Sequence, residues 1–293
     1  MTLQAGPLVT IGLPIYNAEA TLADAISSII NQSYTNWELL LLDDGSVDGG
    51  AEIAAAFPDQ RIRWISDGNN RGISYRLNQA VELARGEYFC RMDADDICFP
   101  QRLEKQLAFL EANHAIDLVA AAVLTFDTQG AVKGVVSVAA SHETICRKPW
   151  NGFHFPHPTW FGRINWFRQY KYNSAADGAE DQWLLYSTYQ SSTFAGLSDV
   201  LLGYRDDRNS FKKLLNRRLS FWRSIGWEAC RRARLADFAK VSLVQPMKIA
   251  ADFLHVRFGI ARLRNQQQAV DVALLDIWEE VLVVVKKTRE EKI

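Results

Sequence analysis

Residues 87–96 read Glu-Tyr-Phe-Cys-Arg-Met-Asp-Ala-Asp-Asp, an apolar run that ends in Asp93, Asp95 and Asp96. Adjacent carboxylates repel each other and lose hydration energy unless a cation or hydrogen-bond donors meet them. Mg²⁺ and Mn²⁺ take oxygen ligands and are commonly held by one or two carboxylates together with substrate phosphates. The stretch therefore indicates a buried strand that ends at a divalent-metal site, and a solvated Asp-rich turn is the alternative.

Strand and helix patterns alternate on the N-terminal side of this stretch. Apolar runs typical of strands cover residues 8–14, 37–42, 61–66 and 88–92, and helical spacing covers residues 19–32, 48–57 and 74–85. Such alternation predicts an α/β fold with a mostly parallel sheet and helices on both faces. Ligands of these sheets bind at the carboxyl ends of the strands. The sequence therefore predicts a ligand site at that edge.

Polar residues follow each of the first three predicted strands. Tyr16 and Asn17 either line a nucleotide pocket or end a strand in a turn, and Asp44 either bonds a nucleotide base or caps a helix. Asn70 and Arg76, at the start of the third helix, are candidates to place donors near a phosphate. Together with the acidic stretch, these residues predict one polar edge on one sheet.

Later segments add candidates for chemistry and for a second substrate. Glu180 and Asp181 precede an aromatic helix, where they act either as a general base or as acids that favour the helix dipole. His157 and Trp183 are candidates to line an acceptor pocket, and filling the core is the alternative for both.

Charge is spread unevenly along the 293 residues, whose hydrophobic content is 48%. Residues 1–204 have a net charge of −9, whereas residues 205–265 have a net charge of +10. We therefore predict a catalytic domain over residues 1–205 and a basic, helical C-terminal extension over residues 206–293.

The expected location is cytoplasmic, with a peripheral position on the inner face of the membrane. No apolar run approaches the roughly 18–20 residues that span a bilayer, and the first residues lack the pattern of a secretory signal. The four cysteines show no zinc-ligand spacing and are typical of reduced thiols.

Taken together, the segments resemble family 2 glycosyltransferases with the GT-A fold, which is Rossmann-like and binds nucleotide sugars. The resemblance runs from Val9 to Ser210 and is carried by residues 9–17, 39–49, 70–74, 86–96, 99–103 and 179–184. It is closest to bacterial enzymes that extend lipopolysaccharide or capsule oligosaccharides.

The resemblance implies a role for each matching donor-site residue. Pro14 and Tyr16 would contact a uracil, and Asp44 would accept a hydrogen bond from its N3–H. Asp93 and Asp95, separated by Ala94, would form the Asp-x-Asp motif that holds the ribose and the metal, Mn²⁺ or Mg²⁺.

The resemblance also implies a catalytic base and shows one departure from the family pattern. Asp181 falls on the base and Glu180 on its neighbour. Where the family often has a metal-binding histidine, this chain has Asp207, which is either a further metal ligand or a surface residue.

The expected reaction is metal-dependent, inverting sugar transfer from a UDP-sugar to a saccharide acceptor, with lipid-linked saccharides included. A non-processive enzyme is expected because the chain lacks a Gln-x-x-Arg-Trp segment and membrane spans. Two alternatives stay open: a nucleotidyltransferase, and a nucleic-acid-binding protein that uses the basic extension. The interpretation that we favour involves no nucleic acid.

The C-terminal extension contains basic amphipathic patterns. Apolar residues recur at helical spacing at Leu215, Leu219, Trp222 and Ile225, and again at Ile249, Phe253, Val256 and Ile260. We expect these stripes to pack on the catalytic domain while the cationic side rests on an anionic membrane. The final helix, around Trp278, is expected to serve packing or homodimerisation.

Overall fold

The computed structural model describes residues 6–206, 211–258 and 267–293. Its strands are β1 (Val9–Ile15), β2 (Trp37–Asp43), β3 (Ile62–Ser66), β4 (Tyr88–Arg91), β5 (Ile97–Cys98), β6 (Leu118–Phe126), β7 (Val132–Val136), β8 (Phe161–Arg163), β9 (Phe194–Arg205) and β10 (Gln267–Gln268). Its α-helices are α1 (Glu19–Ile30), α2 (Gly50–Ala55), α3 (Ile73–Leu83), α4 (Arg102–Ala112), α5 (His142–Ile145), α6 (Ile164–Gln169), α7 (Glu180–Thr188), α8 (Phe211–Arg231), α9 (Leu235–Phe258) and α10 (Val272–Glu290). Short 3₁₀ helices cover Pro149–Asn151, His157–Thr159 and Ser174–Ala176.

The N-terminal half is a parallel sheet in the order β3-β2-β1-β4. Every residue of β2 is buried, as expected for a strand with helices on both faces. Leu39 and Leu41 pack into the core beneath α1, while Leu40 and Leu42 pack into the core beneath α3. The continuous leucine run thus serves two cores, one on each face of the sheet.

The C-terminal half of the sheet is mixed, where the sequence predicted mostly parallel strands. β8 lies antiparallel between β4 and β6, and β6 pairs with β7 in an antiparallel hairpin. The link between β6 and β7 is too short for the crossover that parallel strands require. β9 then runs parallel to β6, so its end approaches the segment that follows β4.

Three long helices follow β9. α8 and α9 form an antiparallel hairpin whose Phe221, Ile225 and Val241 join the core beneath α3. α10 packs on α1 and inserts Trp278 between Phe99 and Phe126. Among the residues that the structure describes, every helix is too short or too polar to cross a lipid bilayer.

Candidate active site

The loops after β1 and β2 are joined at the carboxyl edge of the sheet. The Asn17 N–H donates to Ser46 Oγ at 3.0 Å, and Asn17 Oδ1 accepts from the Val47 N–H at 3.0 Å. Asn17 has a φ of +50°, a left-handed conformation that asparagine tolerates better than most residues. This link leaves the Tyr16 ring 57% exposed at the edge, above the partly buried Pro14.

Asp44 connects the end of β2 to the start of α3. Its buried carboxylate accepts from the N–H groups of Arg71 and Gly72 at 2.7 and 3.0 Å, and from Arg76 Nε at 2.9 Å. Gly72 has a φ of +87°, which favours glycine. Asp44 therefore fixes the turn before α3. It does not cap α2, the helix that follows Asp44 in the chain.

Arg76 has a positioning role at this edge. Its side chain is completely buried, and its guanidinium also contacts Asp67 Oδ1 at 2.6 Å and the Asn69 carbonyl oxygen. The phosphate contact expected from the sequence does not fit this environment, because no part of the guanidinium reaches solvent. Asn70, in contrast, is exposed at the edge.

The acidic segment after β4 brings three carboxylates together. Asp93, Asp95 and Asp96 each offer an oxygen atom within 4.8 Å of the others. Asp96 is buried, and its Oδ1 accepts from the Arg205 N–H at 3.0 Å, whereas its Oδ2 has no hydrogen-bond partner among the described residues. Burial and the charges of Asp93 and Asp95 raise the pKa of Asp96 well above its usual range.

The remaining two carboxylates differ in their partners. Asp93 accepts from Arg91 Nη1 at 2.7 Å, so the protein already compensates its charge. Asp95 is open to solvent on one side, while the surrounding protein and the charge of Asp93 raise its pKa to about 6. Ala94 is buried, and its carbonyl oxygen accepts from Thr21 Oγ1 of α1 at 2.9 Å.

This donor set fits Mn²⁺ or Mg²⁺. A buried carboxylate oxygen without a partner is costly unless something positively charged meets it, and hard cations take oxygen ligands. Asp96 was not among the ligands predicted from the sequence, although the third acid of Asp-Ala-Asp-Asp is a visible signal for it. Asp207 lies outside the described residues.

A second acidic pair occupies the first turn of α7. Glu180 is buried, its Oε2 accepts from the Gly178 N–H at 2.8 Å, and its Oε1 lies 3.8 Å from His157 Nδ1. Burial and the charge of Asp181 raise the pKa of Glu180 to about 7. Burial also raises the pKa of Asp181, whose Oδ2 accepts from Gln182 Nε2 at 2.8 Å. Burial thus favours the protonated form of both carboxyl groups.

His157 supports this pair and does not line an open acceptor pocket. Its buried ring lies against Trp160, and Nε2 lies 3.0 Å from the Tyr172 hydroxyl. Burial and the charge of Arg91 hold its pKa well below the usual value, so the ring is neutral. Trp183 is partly buried against the core, where its indole N–H is enclosed without an acceptor in the described part of the chain.

Arg91 is a further site residue that the sequence analysis missed. It is buried, it pairs with Asp93, and its charge opposes the rise in pKa of Asp95, Glu180 and Asp181. Arg91 therefore pairs with one acidic group, and its charge also reaches the other group, which lies far along the chain. An arginine inside an otherwise apolar strand, two residues before the first aspartate, was the available signal.

Comparison with known proteins agrees with this geometry. Residues 10–171 match the model for "Glycosyl transferase family 2". Over 285 residues the chain is 35% identical to "Putative glycosyltransferase EpsE" of Bacillus subtilis (strain 168), covering 92% of this chain and 99% of that protein. The chain belongs to glycosyl transferase family 2. It is therefore a glycosyltransferase that uses a nucleotide-sugar donor, and not the nucleotidyltransferase that its sequence also allowed.

Two further comparisons place the family 2 glycosyltransferase among characterised proteins. It is 37% identical over 107 residues to "UDP-Glc:alpha-D-GlcNAc-diphosphoundecaprenol beta-1,3-glucosyltransferase WfgD" of Escherichia coli, covering 36% of this chain and 42% of that one. Its fold matches the mannosyltransferase PcManGT from Pyrobaculum calidifontis in complex with GDP-Man and Mn²⁺ with a TM-score of 0.61, at 18% identity over 98% of this chain and 83% of that one. The mixed sheet with helices on both faces is thus a GT-A-like fold with a C-terminal helical region.

Proposed function

We propose that this glycosyltransferase moves one sugar at a time from a UDP-sugar to a saccharide acceptor, with a divalent metal and with inversion at the anomeric carbon. The observation that carries the proposal is the pair of acidic groups around Arg91. One group has a buried oxygen without a partner, which suits a cation, and in the other burial raises the pKa of Asp181 above its usual value, which suits a base.

The donor would lie along the carboxyl edge of the parallel sheet. Tyr16 offers an exposed face for the base beside the partly buried Pro14, and Asp44 Oδ2, which accepts from the Gly72 N–H, keeps a lone pair for the uracil N3–H. The name of WfgD specifies UDP-Glc as its donor, which supports uridine. Asp95 and Asp96, assisted by Asp93, would hold Mn²⁺ or Mg²⁺. When bound, the metal neutralises charge on the diphosphate.

The acidic pair on α7 would activate the acceptor. Asp181 is the more open of the two carboxylates and takes the proton of the acceptor hydroxyl as that oxygen bonds to the anomeric carbon. The bond from that carbon to the diphosphate breaks on the opposite face, so the configuration inverts. Glu180, whose carboxylate accepts from the Gly178 N–H and lies beside His157, is held in the same turn of α7 as Asp181.

A donor panel tests the proposal. The purified protein is incubated with UDP-Glc, UDP-Gal, UDP-GlcNAc, UDP-GalNAc or GDP-Man, and nucleotide release is measured with Mn²⁺ and with EDTA. We expect release from one UDP-sugar, dependent on the metal, and a product of inverted anomeric configuration by NMR. Turnover of GDP-Man alone, equal rates in EDTA, or retained configuration would each contradict one part of the proposal.

The proposed acceptor is a growing cell-surface saccharide attached to a lipid. The name of WfgD specifies a sugar linked to diphosphoundecaprenol as the acceptor, which supports this class. A panel of saccharides with and without a lipid diphosphate tests it, because a preference for the lipid-linked form is expected and equal use of free sugars would contradict it.

A further inference from the structure

The side of α9 that faces solvent is mostly apolar. Leu235, Leu243, Met247 and Phe258 are 69%, 69%, 65% and 63% exposed. They recur at helical spacing and lie on one face of the helix. The other exposed residues of this face are Ala236, Ala239, Pro246, Ala250, Ala251, Phe253 and Leu254, together with the cations Lys240 and Arg257. We refer to this exposed face, from Leu235 to Phe258, as the α9 stripe.

Two polar side chains of α9 point inward, whereas Lys240 and Arg257 are exposed. Asp252 and Gln245 are buried, and Asp252 Oδ2 accepts from Arg218 Nε of α8 at 2.9 Å. A helix on the surface of a protein in water normally has the reverse arrangement, with its apolar side toward the core. The α9 stripe is therefore arranged for a less polar medium than water.

The charge of the α8–α9 hairpin limits what can cover the stripe. Residues 211–258 contain 11 Lys/Arg and 3 Asp/Glu. All three acids are paired within the protein: Glu228 with Arg231 and Arg232, Asp237 with the Tyr186 hydroxyl, and Asp252 with Arg218. The outer surface of the hairpin thus combines an apolar stripe with cations.

The outer side of α8 completes this surface. Lys212, Arg217 and Arg223 are exposed along it, and Trp227, 58% exposed, lies near its end. Cations and tryptophan beside an apolar helix face are typical of elements that lie in the headgroup region of a membrane. A second copy of the same strongly cationic hairpin would repel it.

We propose that the α8–α9 hairpin binds an anionic lipid bilayer, with the α9 stripe in the interface and the α8 cations on the headgroups. This orientation corrects the expectation from the sequence, in which the apolar stripes packed on the catalytic domain and only cations met the membrane. That expectation holds for Ile225, which is buried. It fails for Phe253 and Val256, which are exposed, and Ile260 lies outside the described residues.

The hairpin lies beside the proposed base. Ser220 of α8 lies against Gly178, two residues before Glu180, and the charge of Arg217 is close enough to lower the pKa of Asp181. Docking of the hairpin would therefore bring the acceptor side of the site to the membrane surface. This consequence rests on the proposed function, whereas binding to the bilayer does not.

Flotation with vesicles tests the stripe without any substrate. We compare wild type, Leu243→Glu/Met247→Glu, and the control Val283→Glu, which changes a 66% exposed residue of α10. Wild type and the control should float with vesicles that contain phosphatidylglycerol and stay behind with phosphatidylcholine alone. The double variant should lose about tenfold or more of its binding, while its circular dichroism and its nucleotide release in solution are unchanged.

A charge series tests the cations. Lys212→Gln/Arg223→Gln should weaken binding by about fivefold per cation, because each is worth roughly 1 kcal/mol near an anionic surface. The control Lys286→Gln/Lys287→Gln on α10 should bind as wild type does. The proposal is overturned if wild type ignores phosphatidylglycerol vesicles at low salt, or if the stripe variant floats normally. It is also overturned if ultracentrifugation shows a dimer that only the stripe variant loses.

Discussion

The two acidic groups of the site contain the same kind of side chain in different surroundings. Around Asp95 and Asp96 the carboxylates crowd together, one is open to solvent, and one buried oxygen has no partner among the described residues. In the pair on α7, each carboxylate accepts a hydrogen bond from its own segment, and burial shifts its pKa upward.

This difference explains how one set of carboxylates can serve two tasks. A cluster with an unmet buried oxygen gains most from a cation, because a metal removes both the repulsion and the missing bond. A buried, internally bonded pair gains most from a proton, because a proton removes the buried charge. The charge of Arg91 favours the ionised state of both groups.

The largest effect on sugar transfer is expected in the group that contains Asp95 and Asp96. Asp95→Asn keeps the shape of the side chain but removes the charge that faces the donor phosphates. Transfer should fall below detection, because a metal contributes several kcal/mol of charge stabilisation in such sites. Asp59→Asn, which changes a carboxylate bonded to Arg61, is the control and should retain activity. An active Asp95→Asn enzyme would contradict the assignment of Asp95 as a metal ligand.

The base should give the next largest effect. Asp181→Asn should lower kcat by about 10²–10⁴-fold, the usual contribution of general-base catalysis, with the KM for the donor nearly unchanged. Glu180→Gln is the comparison, and we expect a smaller loss. A larger loss for Glu180→Gln than for Asp181→Asn would move the base to Glu180.

Replacing Arg91, whose charge acts on both acidic groups, should change how activity depends on pH. The base Asp181 works when ionised, and burial raises its pKa, so kcat/KM in the wild type should rise with pH over a range above the usual pKa of an aspartate. Arg91→Gln removes a charge that favours ionisation, so this rise should move upward by about one pH unit. Arg163→Gln, which changes an arginine that donates to backbone carbonyl groups, should leave the profile unchanged. If the pH profile of Arg91→Gln is unshifted, the charge of Arg91 does not act on the base.

The smallest effect concerns stability. The pKa of Glu180 is raised in the folded state, so the folded protein keeps the proton of Glu180 to a higher pH than the unfolded chain does. The free energy of unfolding therefore falls as pH rises from about 4.5 to about 7. Glu180→Gln removes this cost and should raise the free energy of unfolding at pH 8 by about 1–3 kcal/mol, with no gain at pH 4. Thermal melts at the two pH values measure it, and an equal change at both would show that ionisation of Glu180 has no part in it.

The sequence predicted the first half of the fold well, because continuous apolar strands such as β2 and spaced helices such as α1 have strong local patterns. It predicted the mixed half less well, because pairing direction depends on the whole sheet and not on the local pattern of β8. Burial explains the errors at single residues. Nothing in the sequence shows that Arg76 and His157 are enclosed, since that depends on Asp67 and Tyr172, which come from other segments.

Calorimetry of UDP binding tests the division of labour between the two acidic groups most directly. Wild type, Asp95→Asn and Asp181→Asn are each titrated with UDP in Mn²⁺ and in EDTA. The account predicts that wild type and Asp181→Asn bind alike in Mn²⁺ and lose binding in EDTA, while Asp95→Asn binds weakly in both. Equal binding by Asp95→Asn and wild type, or tight wild-type binding in EDTA, would contradict it.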